Sequence, residues 1–130
     1  MNNALNLAGR ILLSLIFILS GWSKISGYEA TQGYMTSMGV PGQLLPLVII
    51  LELLGGLAIA FGLFTRWTAL ALAGFSVVSA VIFHSNLGDQ AQFINFFKNL
   101  AMAGGFLILA ANGPGALSLD SWLAGRRTKA

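Results

Sequence analysis

No cysteine occurs anywhere in this chain. That absence excludes disulfides, thiolate catalysis, cysteine-ligated iron–sulfur clusters and covalent haem attachment through a Cys-x-x-Cys-His motif. Charge is nearly as scarce. Only 8% of the 130 residues are Asp, Glu, Lys or Arg, against about 25% in an ordinary soluble domain. So few charges cannot cover a water-facing surface, and most of the outside must face lipid. The usual catalytic fingerprints are missing too: no P-loop, no Gly-x-Ser-x-Gly, no His-Glu-x-x-His and no dinucleotide-binding glycine pattern. Any chemistry therefore belongs inside a membrane bundle or to a partner. There is no strong internal repeat.

What the chain has is hydrocarbon. Hydrophobic residues make up 56%, and the mean hydropathy is +0.80. Four apolar stretches stand out, at about 4–23, 44–64, 67–87 and 94–112. Each is long enough to cross a hydrocarbon core of about 30 Å. Lipid offers no hydrogen bonds to the backbone, so these stretches must be helices. The expected fold is an all-α membrane protein, a single domain over 1–130 forming a four-transmembrane-helix antiparallel bundle. The first 25 residues read as a retained span rather than a secretory signal, because no basic stretch precedes the apolar run. The longest connection, Lys24 to Gln43, holds a segment, Glu29 to Met38, suited to a short interfacial helix. The other connections are short, which makes successive helices antiparallel neighbours. Gly113-Pro114-Gly115 stops the fourth helix. The tail from Ala116 to Leu123 is expected along the membrane surface.

Seven basic residues face four acidic ones, for a net charge of +3. The basic residues are scattered except for Arg126, Arg127 and Lys129. That pattern suits an anionic membrane face rather than a nucleic acid. With four spans, both termini share a side with the second loop. That side carries Arg66 and the C-terminal cluster, with Arg10 near it. The excess of Lys and Arg there places both termini in the cytoplasm, N-in and C-in. Arg10 and Arg66 are expected to be cytoplasmic headgroup anchors. Trp67 and Trp122 on that side, and Trp22 and Tyr28 on the other, suit interfacial aromatic belts.

The remaining polar groups gather in the outer leaflet. Lys24 ends span one, His84 lies at the outer end of span three, and Lys98 and Asn99 open span four. Glu52 lies roughly 12 Å below the outer boundary at about 1.5 Å per residue. Helical spacing puts Arg10, Ser14, Phe17, Gly21 and Lys24 on one stripe. Glu52 shares a face with Gly55, Gly56 and Ile59. His84 shares one with Ala73, Val77 and Ala80. Lys98 aligns with Ala101, Met102, Gly105 and Asn112. Small residues beside polar ones mark helix contacts, so the polar groups are expected to point inward. A carboxylate within the bilayer costs about 3 kcal/mol, so Glu52 needs a cation, and Lys24 and Lys98 are nearest by depth. Glu52 is the candidate catalytic residue. Lys24, Glu52, His84, Lys98 and Asn99 are the candidate ligand-binding set. The competing reading is a static ion pair that fixes helix register. A lone histidine near a helix end is more often an interfacial polar residue than a metal or haem ligand, and one histidine cannot supply two axial ligands, so no metal site is expected at His84.

The residues just named carry a resemblance. Ala8-Gly-Arg10, Phe17 with Gly21-Trp-Ser-Lys24, and Tyr34-Met with Met38-Gly-Val-Pro41 appear in order. Leu51-Glu-Leu-Leu-Gly-Gly56, Gly62-Leu-Phe-Thr-Arg66, Phe83-His84 and Lys98-Asn99-Leu follow. Over nearly its whole length the chain resembles the DoxX family of small bacterial inner-membrane proteins. The resemblance implies a four-helix protein linked to quinone-dependent redox or respiratory complexes, with weight on Arg10, Lys24, Glu52, Arg66, His84 and Lys98. Without cysteine, a disulfide-generating role is not expected.

The leading expectation is a redox accessory subunit that binds a quinone-like or other lipophilic small molecule in the outer half of the bundle. Glu52 and a lysine would supply hydrogen bonds or a proton relay, and Phe17, Phe83 and Phe97 would flank a ring. It would work in a quinone-linked oxidoreductase complex with a membrane partner or as a homo-oligomer. The alternative is a non-catalytic assembly or partner-binding subunit.

Overall fold

In a computed structural model, the backbone is described for residues 2–129 and the side chains for residues 3–125. The side chains of Arg126, Arg127 and Lys129, which weighed in the orientation argument, lie outside the described residues. Among the described residues six helices follow in order: α1 Asn2–Ser26, α2 Tyr28–Ser37, α3 Leu45–Phe61, α4 Thr65–Phe83, α5 Gln90–Asn112 and α6 Leu119–Lys129. A 3-10 turn, Gly42–Leu44, leads into α3. Four helices, α1, α3 (with that turn), α4 and α5, are long and apolar enough to cross a membrane. The expected all-α four-span bundle is therefore the fold. The segment expected to form a short helix is α2.

The helix ends have local causes. Pro46 in the first turn of α3 needs no hydrogen-bond donor there. At the other end Gly62 takes φ 71°, and Leu63 N–H donates to the Ala58 carbonyl at 2.8 Å. This left-handed closure suits glycine. An added Cβ on Gly62 would sit 2.4 Å from Ser118 Cβ and 2.5 Å from the Arg10 guanidinium, so the position also has no room. Asp89 caps α5, accepting from Ala91 N–H at 2.9 Å. Gly113, at φ 82°, ends that helix before Pro114.

The helices associate as two close pairs, α1 on α3 and α4 on α5, joined mainly through α3 and α4. Small residues permit the first pairing. A Cβ on Gly56 would meet Ile18 at 2.8 Å, and one on Gly21 would meet Leu53 at 2.7 Å. Phe17, Ile59, Leu72 and Phe106 fill the centre with Ala69, Ala73, Ala103 and Leu109. Phe17 meets Phe106 edge to face at 5.4 Å.

The inward stripes of α1 and α3 are those expected: Arg10, Ser14, Phe17 and Gly21 are buried, as are Glu52, Gly55, Gly56 and Ile59. Two faces differ. Val77 is 40% exposed, and Ser76 takes the inward place on α4. On α5 the buried face is Ala103, Phe106 and Leu109, while Lys98, Ala101 and Asn112 are exposed. The interior stripe there passes through Asn99, one residue or about 100° round from Lys98.

The tail is also docked on the bundle. Asp120 folds back to the α3–α4 loop, accepting from Phe64 N–H at 2.8 Å and Thr65 N–H at 2.9 Å. It thereby caps α4 from a distant part of the chain, and its own N–H donates to the Gly62 carbonyl at 2.9 Å. The N-terminal part of α1, the α3–α4 loop and the tail thus meet at one end of the bundle.

Candidate functional site

Two polar clusters result, one at each end. At the tail end, Arg10 is 1% exposed. Its guanidinium donates to the carbonyls of Ile59 at 3.1 Å and Ala60 at 3.2 Å, and also to that of Leu117. The first two belong to the last turn of α3, where a cation suits the negative end of the helix dipole. Arg10 was expected at the headgroups. Burial instead makes it an internal clasp between α1, α3 and the tail. Arg66 is exposed, and its guanidinium lies against Gly113 at the end of α5.

At the opposite end, Lys24 and Glu52 meet. Lys24 Nζ lies 2.5 Å from Glu52 Oε1 and donates to Ser20 Oγ at 2.7 Å. Glu52 is almost wholly buried, its side chain 3% exposed, whereas that of Lys24 is 27% exposed. Of the two lysines considered for the pair, Lys24 is therefore the partner. It reaches Glu52 because α1 and α3 pack closely along their glycines, one helical turn from Gly21 and Gly56.

This pair lines a cavity of about 340 Å³. Its walls come from α1 (Phe17, Ser20), α2 (Thr31, Tyr34, Met35), α3 (Val48), α4 (Phe75, Ser76, Ser79, Ile82) and α5 (Asn99, Met102). α2 covers one side: Met35 is buried, and the Tyr34 ring stacks on Phe83 at 5.4 Å. Ser76, on the cavity wall, donates its Oγ hydrogen to the Leu72 carbonyl at 2.8 Å and keeps its oxygen as an acceptor.

Helix α4 stops at Phe83, so His84 lies in the following loop, half-buried on the cavity wall. Burial lowers its pKa below the ordinary 6.5, and Lys98 nearby lowers it further. Both effects favour the neutral imidazole, which has one donor and one acceptor nitrogen. Lys98 itself is exposed and does not line the cavity.

Of the sequence candidates, the fold brings Lys24, Glu52, His84 and Asn99 to one cavity. It leaves Lys98 outside it and Arg10 and Arg66 at the other end. Phe17 and Phe83 line the cavity. Phe97 instead packs on Phe93 at 4.9 Å and Phe96 at 5.3 Å. Sequence reasoning missed Ser20, Ser76, Ser79 and Tyr34. Ser20 had a signal, lying one helical turn before Lys24 on the same face. Tyr34 had none, because its place depends on how α2 folds back.

The pair is a neutral unit in apolar walls, able to donate from the ammonium and accept at the carboxylate. Such a cavity favours an uncharged ligand, since a net charge would have to compete with one half of the pair.

Comparison with known proteins places this chain among relatives. The family model described as DoxX matches residues 5–85. The chain is 56% identical over 117 residues to the inner membrane protein YqjF of Escherichia coli (strain K12), covering 90% of each chain. It is 41% identical over 121 residues to the inner membrane protein YphA of the same strain, covering 88% of this chain and 86% of that one. A shorter match, 33% identical over 73 residues, is to a Bacillus subtilis (strain 168) protein provisionally named as the oxidoreductase CatD, covering 56% of this chain and 54% of that one. No solved structure matches the chain.

Proposed function

The chain belongs to the DoxX family, and from that premise we propose that it is an inner-membrane redox accessory protein holding an uncharged, quinone-like or other lipophilic molecule beside Lys24 and Glu52. The observation that carries the reading is a buried ion pair lining an apolar cavity of about 340 Å³. That volume lies within the usual range for small-molecule sites, roughly 300–1,000 Å³. Lys24, with Ser20 and Asn99, supplies donors to a ring oxygen. Glu52 and the neutral His84 can hold a proton nearby. Phe17, Phe75 and Phe83 supply ring faces. A bound quinone would bring the electron-accepting chemistry, and the chain's own part is to bind it, orient it and keep water from it. The inner-membrane names of YqjF and YphA and the provisional oxidoreductase name of CatD are consistent with this role. Both termini lie in the cytoplasm on this reading, so the cavity opens toward the periplasmic leaflet.

The test uses protein released gently from membrane. Its lipid extract is expected to hold quinone above the ratio in the surrounding membrane, and added quinone is expected to raise the melting temperature. Glu52→Gln is expected to abolish both effects. Neither enrichment nor a thermal shift in the unaltered protein would end the proposal.

A further inference from the structure

The cavity has an apolar flank that the head-group reading does not use. Helices α3 and α4 leave their short loop together and pack where Leu72 would meet a Cβ on Gly55 at 3.2 Å. Nearer the Lys24 end the cavity lies between them. Leu44 and Val48 wall one flank, and Val78 and Ile82 the other. Two of these residues also face outward, Leu44 at 42% exposure and Val78 at 55%. Residues that line a cavity and are also exposed mark where its wall is thin; Ile16 on α1 and Tyr34 on α2 do so singly, while Leu44 and Val78 do so on facing flanks and thus frame an opening. Leu47 and Val81, each one helical turn along from Leu44 and Val78, are exposed and lie within the spans. The opening therefore meets acyl chains rather than water.

We propose that the slot between α3 and α4 is a hydrocarbon-chain subsite. It takes the aliphatic tail of a membrane-dissolved ligand whose head lies at Lys24 and Glu52, and it lets that tail run out into the bilayer. The inference rests on the head-group reading above. It adds that the ligand is a tailed lipid-phase molecule arriving sideways, not a free ring arriving from water. A tail gains little on leaving lipid for an apolar slot, because the two are equally apolar. The slot works by steric admission: a head that carries a chain can seat only if the chain has an exit.

The probes are a dimethoxy-methyl-benzoquinone ring bearing a decyl chain and the same ring without it, offered to the protein in nanodiscs. Val78→Trp narrows the slot. It is expected to weaken the decyl probe about tenfold or more, the scale of one forced steric clash, and to leave the bare ring within about twofold. Glu52→Gln weakens both probes. A milder variant guards against misfolding. Because the chain has no cysteine, Val78→Cys provides a single thiol for a membrane-permeant maleimide. The decyl probe is expected to slow labelling severalfold, and the bare ring is not. Equal weakening of both probes by Val78→Trp, or labelling indifferent to the decyl chain, overturns the subsite and leaves the head-group site standing. Failure of both probes to bind the unaltered protein removes the two together.

Discussion

Removing the two halves of the Lys24–Glu52 pair is expected to have very unequal effects. Lys24→Met leaves Glu52, whose side chain is 3% exposed, without its cation. Breaking a buried pair in this way costs about 3–5 kcal/mol. The penalty for an acidic side chain at a helix centre, about 3 kcal/mol, gives the same scale independently. Glu52→Gln leaves the opposite partner. Lys24 is 27% exposed and keeps Ser20 Oγ at 2.7 Å, so its long stem can carry the ammonium outward. That loss is expected near 1 kcal/mol. The double variant, Lys24→Met with Glu52→Gln, removes both charges and should lie closer to the native protein than Lys24→Met does. SDS-induced unfolding in mixed micelles, followed by tryptophan fluorescence, gives all four corners of the cycle. The reasoning fails if Glu52→Gln costs as much as Lys24→Met, or if the double variant is the least stable of the set.

Two further outcomes concern the docked tail and the orientation of the spans. Asp120→Ala removes the acceptor for the Phe64 and Thr65 amides. It should cost about 1–2 kcal/mol in the same unfolding assay, the range for a lost N-cap, and Asp120→Asn, which keeps one acceptor oxygen, about half of that; no change would mean the tail is not docked in the membrane. A reporter active only in the periplasm, fused after Ala130, should stay silent, while the same reporter inserted after Gly88 should be active, and the reverse pattern would invert the orientation inferred from Lys and Arg placement.

The four spans were readable because apolar length and the need to satisfy backbone hydrogen bonds in lipid leave few alternatives. The stripes on α1 and α3 were readable for a second reason. Their polar residues recur at helical spacing beside glycines, and glycine contacts fix which face turns inward. On α5 the same method chose Lys98 over its neighbour Asn99. Both residues are polar and adjacent in sequence, and the small residues Ala101, Gly104 and Gly105 mark no single face. Only the packing of Phe106 and of Leu13 against Gly105 settles the rotation. Arg10 was misplaced by a different cause. Depth along the helix suggested headgroups, but its true partners are the carbonyls at the end of α3 and a tail carbonyl, joined only by long-range folding. Asp120 was hidden for the same reason, since it caps a helix that begins 55 residues earlier.

The contrast between the two ends bears on whether the Lys24–Glu52 pair is a pin or a site. At the tail end the charged groups are spent on backbone. Arg10 answers the carbonyls of α3, where Gly62 leaves no space beside its guanidinium, and Asp120 answers the amides of α4 at the rim of an open surface cleft. This is how a polar group serves structure: it meets helix ends that lipid and core cannot satisfy. The Lys24 end is arranged otherwise. There the contacts of the ammonium run to side chains, Ser20 and Glu52, and the pair lines a cavity large enough for a ring. A pin that served only helix register would be better sealed, because each ångström of empty space beside a buried charge forfeits the contacts that offset its desolvation. Leaving that space open has a stability cost, and a ligand whose polar head meets the pair and whose carbon frame fills the walls would recover it.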